Sequence, residues 1–135
     1  VLIYDDQREP SPRPHFLNDW LKNSHGNVSA IVDNNGMCHG FGRIRPCVLD
    51  DNEQGWRIGP LLADTPPLAE LLIRELVGDL DTQILLDCSN LNPYANYLLS
   101  SLGFEEISKT YRMYKGIQPS CPMNQVYGLA CLELG

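Results

Sequence analysis

The clearest pattern along the chain is a strand followed by a helix near its centre. Ile84–Leu86 is a short continuous apolar run, typical of a strand buried on both faces, and it predicts a strand over Gln83–Cys88. A polar stretch follows, and Pro93 fits the first position of a helix, where a missing N–H removes no hydrogen bond. Apolar side chains then repeat at helical spacing at Ala95, Leu98, Leu99 and Leu102.

The remaining pattern predicts further strands and two more helices. Gly103 fits a left-handed helix end, and β-favouring residues follow it. Asp33–Gly36 predicts a type I′ hairpin turn, because Asn and Gly tolerate positive φ values. Helices are expected to begin at Pro14 and just after Asp64, and strands are expected at Val1–Tyr4, Val28–Val32, Met37–Cys47, Trp56–Ala63, Phe104–Lys115 and Gln125–Leu134. The order β-α-β-β-β-α-β-α-β-β predicts a mixed α/β (α+β) fold.

Composition and charge narrow the classes of partner. The 135 residues are enough for one domain with a real core, and the net charge of -7 argues against binding to nucleic acid or to an anionic membrane. No apolar run is long enough to span a membrane, and no signal peptide is evident. The five cysteines lack a CxxC spacing, which favours a reducing, intracellular and cytoplasmic setting. Because the chain starts without Met, we expect a piece of a longer protein.

A family resemblance rests on the same central region. Asn92-x-x-Ala95 followed by Gly103-Phe104 resembles the signature of the GNAT acyltransferase superfamily. Further stretches resemble the C-terminal GNAT-like half of tandem N-acetyltransferases, in the same order: Arg13–Leu21, Gly40–Cys47, Ile58–Asp64, Arg112–Gly116 and Tyr127–Gly135. The resemblance implies a single GNAT (acyl-CoA N-acyltransferase) domain over residues 1–135, with a mixed, twisted sheet and helices on both faces, as the C-terminal part of a longer chain.

The resemblance also implies a place for acetyl-CoA, between strands Trp56–Ala63 and Gln83–Cys88. Its pantetheine arm would pair with the first strand, and its phosphates would lie on the N–H groups that open the next helix. The residues expected to bind or border the cofactor are Leu61, Leu62, Ala63, Thr65, Asn92 and Tyr94.

The expected phosphate loop departs from the family pattern. The usual loop carries glycines and a Gln or Arg, whereas this chain has Asp64-Thr65-Pro66-Pro67. Two prolines remove N–H donors, and Asp64 adds negative charge beside the phosphates. The alternative is that Asp64 or Thr65 only caps the helix.

The position of the general acid also departs from the family pattern. Leu99 stands where catalytic members of the family carry Tyr. Tyr97 is the candidate acid, although Tyr94 and Tyr97 also fit surface positions on an amphipathic helix. Asp87 is the candidate base for the amine proton, and its alternative role is to cap the helix or fix the turn before it.

Other charged residues allow alternative roles. Arg43 and Arg45 point to one face of a strand and can bind an acidic group or pair with Glu133. The three histidines have no metal-ligating neighbour at usable spacing, so no metal is predicted.

Three functions are open at this point. The first is acyl-CoA-dependent acetyl transfer to a small amine or a protein amine. The second is a non-catalytic GNAT-like domain that packs on a preceding catalytic GNAT domain of the same chain. The third is a domain that binds another small molecule in the cleft. The departures at the phosphate loop and the acid favour the second, and the family resemblance favours the first.

Overall fold

The computed structural model describes residues 1–9 and 11–132. The helices are α1 (Leu2–Asp6), α2 (Pro14–Lys22), α3 (Pro66–Val77) and α4 (Pro93–Ser101). The strands are β1 (Asn27–Val32), β2 (Cys38–Val48), β3 (Gln54–Ala63), β4 (Ile84–Leu86) and β5 (Val126–Gly128). A single 3₁₀ turn, Met123–Gln125, leads into β5. The predicted helix starts at Pro14 and after Asp64 are confirmed, as are the central strand and the helix that follows it.

The strands form one mixed sheet in the order β1-β2-β3-β4, with β5 also paired to β3. β1, β2 and β3 are antiparallel neighbours, whereas β3 and β4 run parallel. The predicted pairing of the strand around Trp56 with the strand around Ile84 is therefore confirmed. Because β2 covers one edge of β3 along its whole length, β4 and β5 share the opposite edge.

Helices cover both faces of the sheet, as expected. Consecutive residues of a strand point to opposite faces, and Leu61 and Leu62 accordingly enter different apolar clusters. Leu61 packs with residues of α3 and α4, including Leu72 and Leu98. Leu62 packs with residues of α1 and α2, including Leu17. The centre of β3 thus lies between two helical layers.

The predicted strand over Val1–Tyr4 is wrong, because these residues belong largely to α1. The apolar run is too short to distinguish the two structures by periodicity. Contacts outside the segment decide for the helix: Tyr4 packs edge-on against the distant Phe41, and Arg13, nearby in sequence, forms two hydrogen bonds to the Asp5 carboxylate, at 3.0 and 2.9 Å.

The hairpin between β1 and β2 is confirmed, but its predicted type I′ turn is wrong. Only Gly36 has a positive φ, of 81°, and neither asparagine does. The Asp33 carboxylate accepts from the N–H groups of Asn35 and Met37, at 2.9 Å each, and so fixes the turn. Such a loop, with a left-handed glycine at its end, is the three-residue alternative to a type I′ turn.

The predicted strand over Phe104–Lys115 is also wrong, because no residue of that range forms a strand. The last strand is shorter than Gln125–Leu134, since β5 covers only Val126–Gly128; residues 133 and 134 lie outside the described residues. A β-favouring sequence becomes a strand only when a neighbour supplies hydrogen bonds, and the pattern does not specify that neighbour.

Candidate functional site

The candidate site lies where β3 and β4 diverge. The two strands pair only from Trp56 to Ile58 on β3, against β4, while β3 continues to Ala63. The edge of β3 beyond Ile58 is therefore available to a different extended chain. This is the opening that the resemblance predicts for the cofactor arm.

In the structure, β5 fills this opening. Gly128 pairs with Leu61 and Val126 with Leu62, antiparallel to β3. On the opposite side, the N–H of Leu129 donates to the carbonyl oxygen of Asp87 at 2.8 Å. The segment is thus hydrogen-bonded to both walls, and the backbone at Leu61 and Leu62 already has a partner.

Asn92 fastens β5 from the side of α4. It is completely buried, and its Oδ1 accepts from the N–H groups of Tyr94 and Ala95, at 3.1 Å each. Its Nδ2 donates to the carbonyl oxygen of Val126 at 2.9 Å. One side chain therefore caps the helix and holds the strand that closes the cleft.

The turn that opens α3 offers few anion-binding groups. Thr65 is the N-cap, but its side chain makes no capping hydrogen bond, and Pro66 and Pro67 follow at the first helical positions. Both prolines lack an N–H, so the first turn has fewer donors than an ordinary helix N-terminus. Thr65 thus occupies the N-cap position, as the capping alternative expects, but neither its side chain nor the Asp64 carboxylate, which bonds elsewhere, accepts a capping hydrogen bond.

Asp64 is the centre of a polar network with α1 and β2. Its carboxylate accepts from the Tyr4 hydroxyl at 2.6 Å, from Arg8 at 2.8 Å and from His39 Nδ1 at 2.9 Å. Burial alone would raise the pKa of Asp64, but the bonds from Tyr4 and His39 and the Arg8 charge outweigh it and lower that pKa. The negative charge that the sequence places at this turn is therefore largely balanced.

His39 joins this network to the β1–β2 turn. Its Nδ1 faces Asp64, and its Nε2 lies 3.4 Å from the Asp33 carboxylate. The hydrogen bond to Asp64 and then that to Asp33 raise the pKa of His39 above its ordinary value of 6.5. His39 thus connects the hairpin to the start of α3.

We expect the stability of the fold to fall as the pH rises past 6.5. A raised pKa in the folded state stabilises the protein fully below pH 6.5, and this contribution is lost as the pH rises through the higher folded value. Thermal unfolding at about pH 6 and about pH 8.5 measures it, and His39→Gln is expected to flatten the difference. His15→Gln, at an exposed position, is the control. An equal pH dependence in His39→Gln and in the unaltered protein would contradict this linkage.

The two predicted catalytic residues lie in different surroundings. Asp87 directly follows β4, and its carboxylate is in contact with the Arg57 guanidinium of β3. Tyr97 lies on α4 with 80% of its surface exposed. Tyr94, on the same helix, is about half exposed. The structure brings Asp87 to the cleft beside β5 and leaves Tyr97 facing solvent.

Sequence reasoning missed two residues at this site. Arg57 was an ordinary strand residue in the pattern, and only the parallel pairing of β3 with β4 brings it to Asp87. Tyr127 lies in β5 with its hydroxyl buried and without a hydrogen-bond partner among the described residues. Burial, with a smaller effect of Tyr94, raises the pKa of Tyr127 to about 12. No local sequence signal distinguishes either residue.

Arg43 and Arg45 lie on one face of β2, as expected, and both stack on Trp20 of α2. The guanidinium carbons lie 4.9 and 5.1 Å from the ring centre. Arg43 is 2% exposed, and it donates to the carbonyl oxygen of His25 at 2.9 Å. Glu133, the predicted partner, lies outside the described residues.

In the described ranges, 1–9 and 11–132, no group of three His, Cys, Asp or Glu side chains is arranged to hold a metal ion. The helices of that part of the chain are all too short or too polar to cross a membrane. The five cysteines are free, and burial raises the pKa of Cys88 to about 11, so its thiol stays protonated at neutral pH.

Comparisons with known proteins give the family. The profile of the family described as "Acetyltransferase (GNAT) domain" matches residues 1–128. Holothin acyltransferase from Pseudoalteromonas sp. (strain SANK 73390) is 28% identical over 137 residues, which cover all of this chain and 45% of that protein. The chain thus spans less than half the length of this relative.

Solved structures with similar folds agree. A mutant of the BH1408 protein from Bacillus halodurans superposes with a TM-score of 0.60 at 18% identity, covering 76% of this chain and 74% of that one. Aminoglycoside 6'-N-acetyltransferase AAC(6')-Ih from Acinetobacter baumannii gives 0.59 at 10% identity, covering 87% and 90%. At these identities the likeness concerns the fold alone. With the family match over most of its length and this shared fold, the chain belongs to the GNAT acetyltransferase domain family.

Proposed function

We propose that this domain serves acyl transfer from an acyl-CoA, with acetyl-CoA as the expected donor, to an amine of a small molecule or a protein. Membership of the GNAT family and the likeness to an acyltransferase support this function. The relative is more than twice as long as this chain. We therefore include in the proposal a preceding GNAT domain in the same polypeptide, with residues 1–135 as one domain.

The observation that carries the proposal is that β3 extends beyond its pairing with β4. Its edge at Leu61 and Leu62 hydrogen-bonds to an extended chain other than β4. The pantetheine arm of acyl-CoA is also an extended chain with amide groups, so it is suited to the same backbone partners. Leu61, Leu62 and Ala63 are the proposed residues for the arm.

The fit is incomplete in two respects. β5 occupies the same edge of β3, so acyl-CoA has to displace it. The proposed diphosphate position, from Thr65 onward, lacks the two N–H groups that Pro66 and Pro67 remove. Charge-assisted hydrogen bonds contribute roughly 1.5–3 kcal/mol each, and losing two weakens binding by roughly 150-fold or more.

Residues around the opening have proposed roles in binding. Asn92 and Tyr94 border it at the start of α4, and Thr65 borders it at the start of α3. Asn92 becomes available to a ligand only when Val126 leaves, because its amide now donates to that carbonyl. Displacement of β5 therefore frees the β3 edge and the Asn92 donor together.

Two residues have proposed roles in moving protons. Asp87 is held by Arg57 beside the cleft and is the proposed acceptor of the proton that the amine releases. Tyr97 is the proposed donor of a proton to the departing thiolate. Its exposed ring has to turn toward the cleft to serve in this way. Acyl-CoA, when bound, supplies the thioester that the amine attacks.

A second candidate function is favoured by the closed cleft. β5 is hydrogen-bonded on both sides, and the start of α3 is poor in donors. These features suit a domain that supports a preceding catalytic GNAT domain without binding acyl-CoA itself. The two candidates differ in whether β5 leaves.

Titration of acetyl-CoA into the protein, with hydrogen exchange of the backbone amides, tests the proposal. We expect weak binding, and faster exchange at Tyr127 and Gly128 on saturation because β5 leaves. Binding without any change at β5 would contradict a site on the β3 edge. Absence of binding would instead favour the second candidate function, in which this domain supports a preceding catalytic GNAT domain. Release of CoA in the presence of a panel of amines then tests transfer itself.

A further inference from the structure

Three arginines lie side by side on the face of the sheet that α2 covers, and we call them the arginine cluster. Arg43 and Arg45 alternate along β2, and Arg57 of β3 is the direct cross-strand partner of Arg45. The side chains of such a pair leave the same face of the sheet, with Cβ atoms about 5 Å apart. A chain with ten basic residues and a net charge of -7 thus concentrates three positive charges in one place.

The charge of the arginine cluster is only partly balanced. Arg57 contacts the Asp87 carboxylate, whereas neither Arg43 nor Arg45 forms an ion pair with a described carboxylate. The Nε groups of Arg43 and Arg45 are buried and have no hydrogen-bond partner among the described residues. Because buried donors without partners are costly, an anion bound at this cluster would be stabilising.

Arg43 and Arg45 differ in what they can reach. Arg43 is 2% exposed and already donates to the carbonyl oxygen of His25, so its role is structural. Arg45 and Arg57 instead line a cavity of about 260 Å³, together with Cys47, Cys131 and Leu132. That volume is below the range usual for drug-sized ligands, so it suits a molecule about as large as an amino acid.

This cavity adjoins the proposed base. Arg57 both lines the cavity and holds the Asp87 carboxylate, which is the proposed acceptor of the amine proton. We infer that the acceptor amine of this domain also carries a carboxylate, which Arg45 binds in the cavity while the amine faces Asp87. The inference rests on the proposed function above, and it names the class of acceptor as a small molecule with an amine and a carboxylate.

The neighbouring negative charge favours a carboxylate over a phosphate. A guanidinium group binds either anion through paired N–H groups. Asp87 lies beside the cavity and already shares the charge of Arg57. A phosphate group carries nearly two negative charges at neutral pH, so Asp87 repels it more strongly than it repels a carboxylate.

Binding measured without acyl-CoA tests the cavity directly. Trp20 stacks on Arg45, and Trp56→Phe removes the other of the two tryptophans, so that fluorescence reports on the cluster. We expect a saturable change with β-alanine and none with propylamine, in which a methyl group replaces the carboxylate. No saturable change with β-alanine, or an equal response to propylamine, overturns the inference. Tighter binding of 2-aminoethyl phosphate overturns the choice of a carboxylate.

Variants of Arg45 test whether this side chain binds the carboxylate. Arg45→Gln is expected to raise the dissociation constant of β-alanine at least roughly tenfold, because it removes a charged donor. Arg45→Lys keeps the charge without the paired N–H groups and is expected to raise it less. Arg74→Gln, at an exposed arginine of α3, is the matched control and is expected to change nothing. Thermal unfolding shows whether each variant folds. Unchanged affinity in Arg45→Gln, or in Arg45→Lys if the Gln variant does not fold, overturns the assignment.

Glu133 is the internal alternative to a bound carboxylate, because it follows Leu132 in the sequence and Leu132 lines the cavity. We expect Glu133→Gln to leave the affinity for β-alanine nearly unchanged. Binding that appears only in the Glu133→Gln protein would overturn the inference, since Glu133 would then be the anion that Arg45 holds.

Release of CoA from acetyl-CoA separates this inference from the proposed function. We expect faster release with β-alanine than with propylamine, and we expect Arg45→Gln to raise KM for β-alanine with little change in kcat. Equal transfer to propylamine overturns the inference and leaves the proposed function intact. Binding of β-alanine without transfer to any amine would contradict the proposed function, and with it the role of the ligand as acceptor, whereas the carboxylate site itself would stand.

Discussion

Replacing Asn92 with alanine is expected to lower the free energy of unfolding by roughly 2–4 kcal/mol. The substitution removes the acceptor that caps α4 at Tyr94 and Ala95, and it leaves the Val126 carbonyl oxygen without its donor. Because Asn92 is completely buried, water does not replace these bonds without opening the structure. Chemical denaturation with urea measures the change.

Two further variants separate the contributions. Asn92→Ser keeps a capping oxygen but does not reach Val126, so the difference between the Ser and Ala variants isolates the cap. Asn90→Ala changes a nearby exposed asparagine and is expected to alter stability little. A loss below about 1 kcal/mol in Asn92→Ala would contradict the two-sided role, because the cap alone accounts for that much.

Replacing Gly128 with valine is expected to strengthen acetyl-CoA binding at least roughly tenfold, if β5 and the cofactor arm compete for β3. A Cβ at position 128 would lie 3.1 Å from the Leu61 Cβ and 3.5 Å from the Leu86 Cγ, so the branched side chain has no room between the two strands. The variant therefore favours the open form of the cleft. Calorimetric titration of both proteins compares their dissociation constants.

Gly128→Ala supplies a graded control, since a single methyl group demands only a small displacement. We expect an intermediate affinity from it. Of the Leu61 and Leu62 amides, one faces β2 and the other faces β5, and hydrogen exchange at the one that faces β5 shows whether β5 has left in each variant. Loss of protection there without any gain in affinity would contradict competition and would favour the supporting role.

The central elements were predictable because their signals are local. The Ile84–Leu86 run, the proline at the start of α4 and the glycine after it each act over a few residues. The same holds for the start of α3 and for the hairpin. The pairing of β3 with β4 followed from the order of these elements together with the family resemblance.

The errors have a common physical cause. α1 forms because Tyr4 finds partners far along the chain, Phe41 and Asp64, and the segment after Gly103 lacks a strand because no described neighbour pairs with it. Both outcomes depend on distant partners. The candidate site shows the same contrast between local signals and distant contacts. Asn92 was predicted from its motif, whereas its bond to Val126 depends on where β5 lies.

The pairing of β5 with β3 has a consequence for how the chain folds. Leu62 and Val126 are roughly 65 residues apart, so their contact requires closure of a long loop, and such non-local contacts form late and slowly. During synthesis, β3 leaves the ribosome well before β5 exists. The nascent sheet therefore passes through a stage in which the edge at Leu61 and Leu62 is uncovered, and the order of synthesis itself determines that closure of the cleft is a late step in folding.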